Sequence, residues 1–170
     1  MAWLIIAGLL NRPITIYGNG KQLRDVLYID DLVEAYRAVV RRLDSVSGEV
    51  LNIGGGSRNT LSPLELLELL TRLLGRAPAV HFEAVRPGDQ RVYVSDIRKS
   101  QQLLGWKPRT RPEDGVSVLY RWIRANAAVF RQRLSWMGPE RLDGATRVAQ
   151  KKLQVLGERL SHRQLAAGTF

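Results

Sequence analysis

Three loops of the sequence carry residue types that can do chemistry. In Tyr17-Gly18-Asn19-Gly20-Lys21-Gln22-Leu23-Arg24-Asp25, two glycines let the backbone approach a ligand closely, and the planar fork of Arg24 suits a phosphate or ribose oxygen. The same residues also fit a solvated turn with Arg24 paired to Asp25 or Asp30. In Arg86-Pro87-Gly88-Asp89 a guanidinium and a carboxylate lie three residues apart across a Pro-Gly turn. Arginine donors match phosphates and carboxylate acceptors match vicinal diols, so this turn can present Arg86 to a diphosphate and Asp89 to sugar hydroxyls. An internal Arg86–Asp89 salt bridge stapling the loop would use the same two groups. Between these loops, Gly54-Gly55-Gly56-Ser57-Arg58-Asn59 reads as a turn in preference to an anion-binding nest of backbone N–H groups.

The elements that must position these loops are legible from periodicity and stop signals. Residues 1–10 are apolar nearly all round and end at Asn11-Arg12-Pro13, which predicts a buried helix. Pro13-Ile14-Thr15-Ile16-Tyr17 alternates as a short strand running into the Gly18-Asn19-Gly20 turn. A second extended run over 25–29 leads to Asp30-Asp31, either of which can cap a helix over 32–43 with Leu32, Ala35, Tyr36, Val39 and Val40 on one face. Glu49-Val50-Leu51-Asn52-Ile53 predicts a strand covered on both faces. Ser62-Pro63-Leu64-Glu65 is a capping box with Pro at the first helical position, so a largely buried helix runs from Ser62 to the stop at Gly75. A strand at Val80-His81-Phe82-Glu83, a helix over 96–104 ended by Gly105, and an amphipathic helix over 112–130 complete the pattern. Past residue 134 the apolar stripe weakens after Gly138-Pro139, which marks 135–170 as a basic, helical or disordered appendage to a domain over 1–134.

Composition narrows the function classes. The 170 residues are 45% hydrophobic and 25% charged, enough for one buried core and too few for two full domains. With no Cys and two His, disulfides, thiolate zinc sites and cysteine nucleophiles are excluded, and a metal centre is poorly supplied. No apolar stretch approaches the roughly 20 residues of a membrane span and no signal-like segment opens the chain, so a soluble, cytoplasmic protein without a membrane partner is expected. The net charge of +10 attracts phosphates or nucleic acid in general, but the 26 Lys and Arg are scattered with no run longer than two. That scatter argues against a nucleic-acid stripe.

The three loops gain meaning from their order. Pro13 through Asp31, with Tyr17-Gly18-Asn19-Gly20-Lys21-Gln22-Leu23-Arg24-Asp25 and Tyr28-Ile29-Asp30-Asp31 within it, resembles the hallmark of the second half of extended short-chain dehydrogenase/reductases, the NAD-dependent epimerase/dehydratase family acting on nucleotide sugars. Leu51-Asn52-Ile53-Gly54-Gly55-Gly56, Arg86-Pro87-Gly88-Asp89-Gln90-Arg91 and Leu104-Gly105-Trp106-Lys107-Pro108 follow in the family's order, so the resemblance covers residues 1 to about 130. Within the family, Gly88 through Asp96 is most similar to the CDP-sugar 2-epimerase branch. The resemblance implies an α/β fold: the last strand-helix portion of a Rossmann-like dinucleotide-binding sheet, ending in the strand at Ile53, plus a small substrate lobe. It implies that Arg24 and Arg86 hold the diphosphate of a nucleoside-diphosphate sugar, that Asp89 accepts from the ribose hydroxyls, and that Tyr17 and Gln22 lie beside the base or ribose. For Tyr17 a core position on its strand is an equal alternative.

In the complete enzyme the family implies NAD as cofactor, oxidising a sugar hydroxyl and returning the hydride after a neighbouring centre is reset. The NAD loop of that family, Gly-x-x-Gly-x-x-Gly after a strand, and its catalytic Tyr-x-x-x-Lys pair do not occur in these 170 residues. Tyr17 and Lys21 have the spacing but sit on a strand and Gly turn, where they cannot share a helix face. The sequence therefore carries no catalytic or cofactor-binding residues of its own. It is expected to be the substrate-binding portion of such an epimerase, as a fragment or one half of a split enzyme partnered by an N-terminal NAD-binding half or by a second copy. A non-catalytic nucleotide-sugar binding module is the alternative, and a nucleic-acid partner for the basic residues of 135–170 the least favoured.

Overall fold

The computed structural model describes residues 1–136, so most of the appendage read at 135–170 lies outside the described residues. Met1–Asn126 form one compact unit, and a second unit begins at Ala127. In chain order the elements are α1 (Ala2–Leu9), β1 (Ile14–Tyr17), β2 (Leu23–Asp25), α2 (Ile29–Arg41), α3 (Leu43–Val46), β3 (Thr60–Leu61), α4 (Pro63–Leu74), β4 (Val80–Glu83), β5 (Val92–Tyr93), α5 (Arg98–Leu104), α6 (Pro112–Ala125) and α7 (Ala127–Trp136). No helix among the described residues is long and apolar enough to cross a membrane.

Two small sheets carry the loops. β1 and β4 pair in parallel, with Ile14 opposite Val80 and Tyr17 opposite Glu83. β2 is the centre of a mixed sheet, antiparallel to β3 and parallel to β5. The alternation of β1 puts Ile14 and Ile16 into a core with Ala7, Leu4, Leu67 and Val80. Helices α1, α4 and α6 pack against one another over this core. α1 is buried around most of its circumference, with Ile5, Ala7 and Gly8 closed off and only its first residues, Trp3 among them, exposed. Its final turn is tied down by Arg76, which donates to the Gly8 carbonyl at 2.8 Å.

α4 follows its sequence signals closely. Ser62 Oγ accepts from the Glu65 N–H at 3.3 Å while Glu65 Oε2 accepts from the Ser62 N–H at 2.7 Å, and Gly75 closes the helix in the left-handed conformation. Ser62 Oγ also donates to Glu65 Oε2 at 2.8 Å, and this bond, with the one from the Ser62 N–H, holds the Glu65 carboxyl below its ordinary range.

Four expectations need correction. β2 ends at Asp25, Tyr28 is still extended, and α2 begins at Ile29, so neither Asp30 nor Asp31 is its cap; both lie in its first turn, where carboxylates still favour the helix dipole. The buried face of α2 carries Asp31, Ala35 and Ala38, while Tyr36 is 62% and Val40 73% exposed. The helix is apolar on two opposite faces: the exposed stripe of Ile29, Val33, Tyr36 and Val40 recurs at helical spacing on the side away from Ala35 and Ala38. Residues 49–53 form no strand ladder among the described residues. Leu51 and Ile53 pack toward Ala35, Ala38, Val46, Leu104 and Trp106, but Val50 is 82% exposed, so the segment is covered on one face only. Finally, the helix read over 112–130 breaks at Asn126, whose side chain donates back to the Trp122 carbonyl at 2.9 Å and competes with helix continuation.

Candidate nucleotide-sugar site

The end of β1, the turn that follows it and the 84–91 loop after β4 come together because β1 and β4 are ladder neighbours. Gly18 N–H donates to the Glu83 carbonyl at 2.8 Å, and Leu23 N–H donates to the Arg91 carbonyl at 2.8 Å, so the two loops are stitched at both ends. Between them lies an open groove of about 690 Å³ lined by Tyr17, Gly18, Asn19, Lys21, Gln22, Glu83, Ala84, Val85, Asp89 and Arg91.

Of the five residues singled out by sequence, Tyr17, Gln22 and Asp89 line this groove. Arg86 joins them through Tyr17, its guanidinium carbon standing 3.5 Å from the centre of the ring. Tyr17 is therefore half-buried beside a cation, not closed into the core. Gln22 turns its amide back, donating from Nε2 to the Tyr17 carbonyl at 2.8 Å. Arg24 lies in β2, where Nη1 donates to the Leu23 carbonyl at 2.9 Å and Nη2 to the Gln90 carbonyl at 2.5 Å. It thus clamps the 86–90 loop, and its pairing with Asp25 or Asp30 does not form. Asp25 Oδ2 instead accepts from the Gly56 N–H at 3.1 Å. Among the described residues no ion pair joins Arg86 to Asp89; the turn is closed by the Asp89 N–H donating to the Arg86 carbonyl at 3.1 Å.

Sequence reasoning missed Lys21, Arg91 and Glu83 as lining residues. The first two sit inside the quoted motifs, so their basic character was the available signal. Glu83 was hidden as the last residue of a strand.

The chemistry of the groove is that of anion and hydroxyl recognition. Arg86, Arg91 and Lys21 bring positive charge and Asp89 an acceptor from exposed loops, and Glu83 brings a second acceptor from the end of β4. The triple glycine serves another purpose. A Cβ at Gly55 would run into the Val26 carbonyl, and one at Gly54 would lie 2.5 Å from Ser95 Oγ and 2.6 Å from Asp25 Oδ2. The space beside these glycines is filled by the chain itself, so they allow residues 54–56 to lie against β2 and offer no cradle for a dinucleotide. Residues 54–56 therefore do not form a Gly-rich dinucleotide loop.

A polar knot is built from residues that do not line the groove. Asp31, 6% exposed, accepts from the Arg109 and Thr110 N–H groups at 3.1 and 2.9 Å, and its own carbonyl accepts from Trp106 Nε1 at 3.0 Å. Asn59 extends the knot by donating to the Thr110 carbonyl at 3.0 Å and accepting on its carbonyl from the Val26 N–H at 2.8 Å.

Known proteins share this fold. The family model described as GDP-mannose 4,6 dehydratase matches residues 3–119. CDP-paratose 2-epimerase of Salmonella typhi is 40% identical over 113 residues, which are 66% of this chain and 33% of that protein. UDP-glucuronate 4-epimerase of Thermodesulfobacterium geofontis is 32% identical over 120 residues, 71% of this chain and 36% of that one. Among solved structures, UDP-glucuronic acid 4-epimerase from Bacillus cereus, in complex with UDP-glucuronic acid and NAD, superposes with a TM-score of 0.68 at 33% identity, over 74% of this chain and 40% of the other. The chain spans about a third of the length of these curated relatives. A family match over most of the folded residues, together with a shared α/β architecture, shows that the chain belongs to the GDP-mannose 4,6 dehydratase family of the extended short-chain dehydrogenase/reductases, whose members here are nucleotide-sugar epimerases and dehydratases.

Proposed function

We propose that this chain is the nucleoside-diphosphate-sugar binding portion of an NAD-dependent epimerase, acting on a CDP-sugar in the manner of a 2-epimerase. The observation that carries the reading is the groove in which Tyr17, Gln22 and Asp89 converge, with Arg86 stacked at its edge. Arg86 offers the diphosphate a planar set of donors, and Asp89 offers the ribose hydroxyls an acceptor. Tyr17 gives the base or ribose an aromatic wall. Arg24 contributes from behind, through the Gln90 carbonyl that it holds. The CDP-sugar assignment is supported by the 40% identity to a CDP-paratose 2-epimerase.

The redox step belongs to residues outside this set. NAD supplies hydride transfer in such enzymes, and the described residues contribute substrate binding and orientation.

Thermal melts of the chain with CDP, UDP, GDP, dTDP or NAD test the reading, because a ligand bound only by the folded state raises Tm. The expected result is a rise with CDP that disappears in Arg86→Ala, and none with NAD. A cooperative melt indifferent to every nucleoside diphosphate would overturn the site.

A further inference from the structure

We propose that Tyr17 is a positioning residue for Arg86: its ring holds the guanidinium face-on so that the in-plane N–H donors stay aimed into the groove for a diphosphate. The inference rests on the diphosphate reading of the groove and assigns Tyr17 a task distinct from contact with the base.

The two arginines of the site show why such a device is needed. Arg24 donates to two backbone carbonyls and is fixed by them. Arg86 lies on an exposed loop, and among the described residues its side chain makes neither a hydrogen bond nor an ion pair. Its one specific contact is the ring of Tyr17, at 3.5 Å. A guanidinium carbon 3.5 Å from the ring centre meets the π face of Tyr17, and among the described residues the side chain spends none of its five N–H donors on a hydrogen-bond acceptor. An arginine held by carboxylates or carbonyls would have given those donors away.

The platform itself is firm. Tyr17 ends β1 opposite Glu83 in the parallel ladder, its carbonyl accepts from Gln22 Nε2 at 2.8 Å, and the next residue's N–H donates to the Glu83 carbonyl. Gln22 thereby acts on the same device from below. A rigid ring beneath a long, otherwise free side chain reduces the freedom that Arg86 would lose on binding, which is the ordinary benefit of preorganisation.

Inorganic pyrophosphate separates this role from base stacking, because it has no base. Its affinity is measured by calorimetry on the full chain, with CDP in parallel. Tyr17→Leu should weaken pyrophosphate by about two- to fivefold, the range of an exposed cation–π contact, while Tyr17→Phe should stay within about twofold of the parent. In an Arg86→Ala background Tyr17→Leu should cost pyrophosphate nothing more. Unchanged pyrophosphate affinity in Tyr17→Leu, or a full additional loss in the double variant, overturns the proposal. A second measurement stands if Tyr17→Leu fails to fold. In the parent protein the Arg86 Nε–Hε NMR signal should carry an upfield ring-current offset, retained in Tyr17→Phe and retained when pyrophosphate binds. Absence of the offset, or its loss on binding, overturns the proposal. An intact offset in a parent protein that binds neither pyrophosphate nor CDP overturns the diphosphate reading and leaves only the stack.

Discussion

Asp31 and Asp89 are the same side chain used in opposite ways. Asp31 is buried and both of its oxygens are taken by backbone N–H groups of Arg109 and Thr110, so it joins two segments far apart in sequence. Asp89 sits on an exposed loop whose turn is closed by backbone alone, and its carboxylate faces an open groove. The knot around Asp31 spends every polar group on the fold, whereas the groove leaves Arg86 and Asp89 unspent. Stability and binding are therefore assigned to different regions, and variants in the two should fail in different assays.

The largest expected effect falls in the knot. Asp31→Ala removes two hydrogen bonds to a buried carboxylate and strands the Arg109 and Thr110 N–H groups, at about 2–4 kcal/mol, read as a lowered denaturation midpoint. A midpoint unchanged by this variant would break the contrast at its root. Next comes Arg86→Ala, expected to weaken a nucleoside diphosphate about 10- to 100-fold by losing charge-assisted hydrogen bonds of ~1.5–3 kcal/mol, with Tm nearly unchanged. A parallel fall in Tm would mean that the groove is part of the scaffold. Ser62→Ala, which removes the cap of α4, should cost ~1 kcal/mol and leave ligand affinity alone. Asp89→Asn should stay within about 0.5 kcal/mol of the parent in stability while weakening nucleotides more than pyrophosphate.

The smallest effect is a pH dependence at the surface. The Arg98 guanidinium, bonded to both oxygens of Asp96, holds that carboxyl down at about 2 against an ordinary 3.8. Because the folded value is the lower one, the contribution is complete above about pH 4 and is lost as pH falls toward 2. The pair is fully exposed, so the slope of Tm against pH over that window should be shallow, should vanish in Asp96→Asn, and should weaken with added salt.

Local chemistry made half of this molecule legible in its sequence. Ser62, Glu65 and Gly75 define α4 because caps act within a turn, and Gly105 ends α5 for the same reason. The groove residues Tyr17, Gln22 and Asp89 were visible as motif members, and the structure does bring them together. What failed was long-range. The face of α2 was misassigned because Tyr36 and Val40 belong to a second apolar stripe, and a periodic reading cannot rank two stripes on one helix. Residues 49–53 look like a strand by composition, but a strand exists only with a ladder partner. The partners of Asp31 lie 78 and 79 residues away, beyond any local signal. Nothing near Arg24 in sequence points to the Gln90 carbonyl that its guanidinium holds.

The ladderless segment at 49–53 also determines how the chain should come apart. Proteases bind their substrates as extended strands, and this stretch, with Val50 almost bare and its backbone outside any sheet, has no ladder to give up before it enters such a site. Limited digestion should nick there before it touches α4. The two pieces should then migrate together on a sizing column, because α2 on one side of the cut stays fastened to residues 106–110 on the other through Asp31.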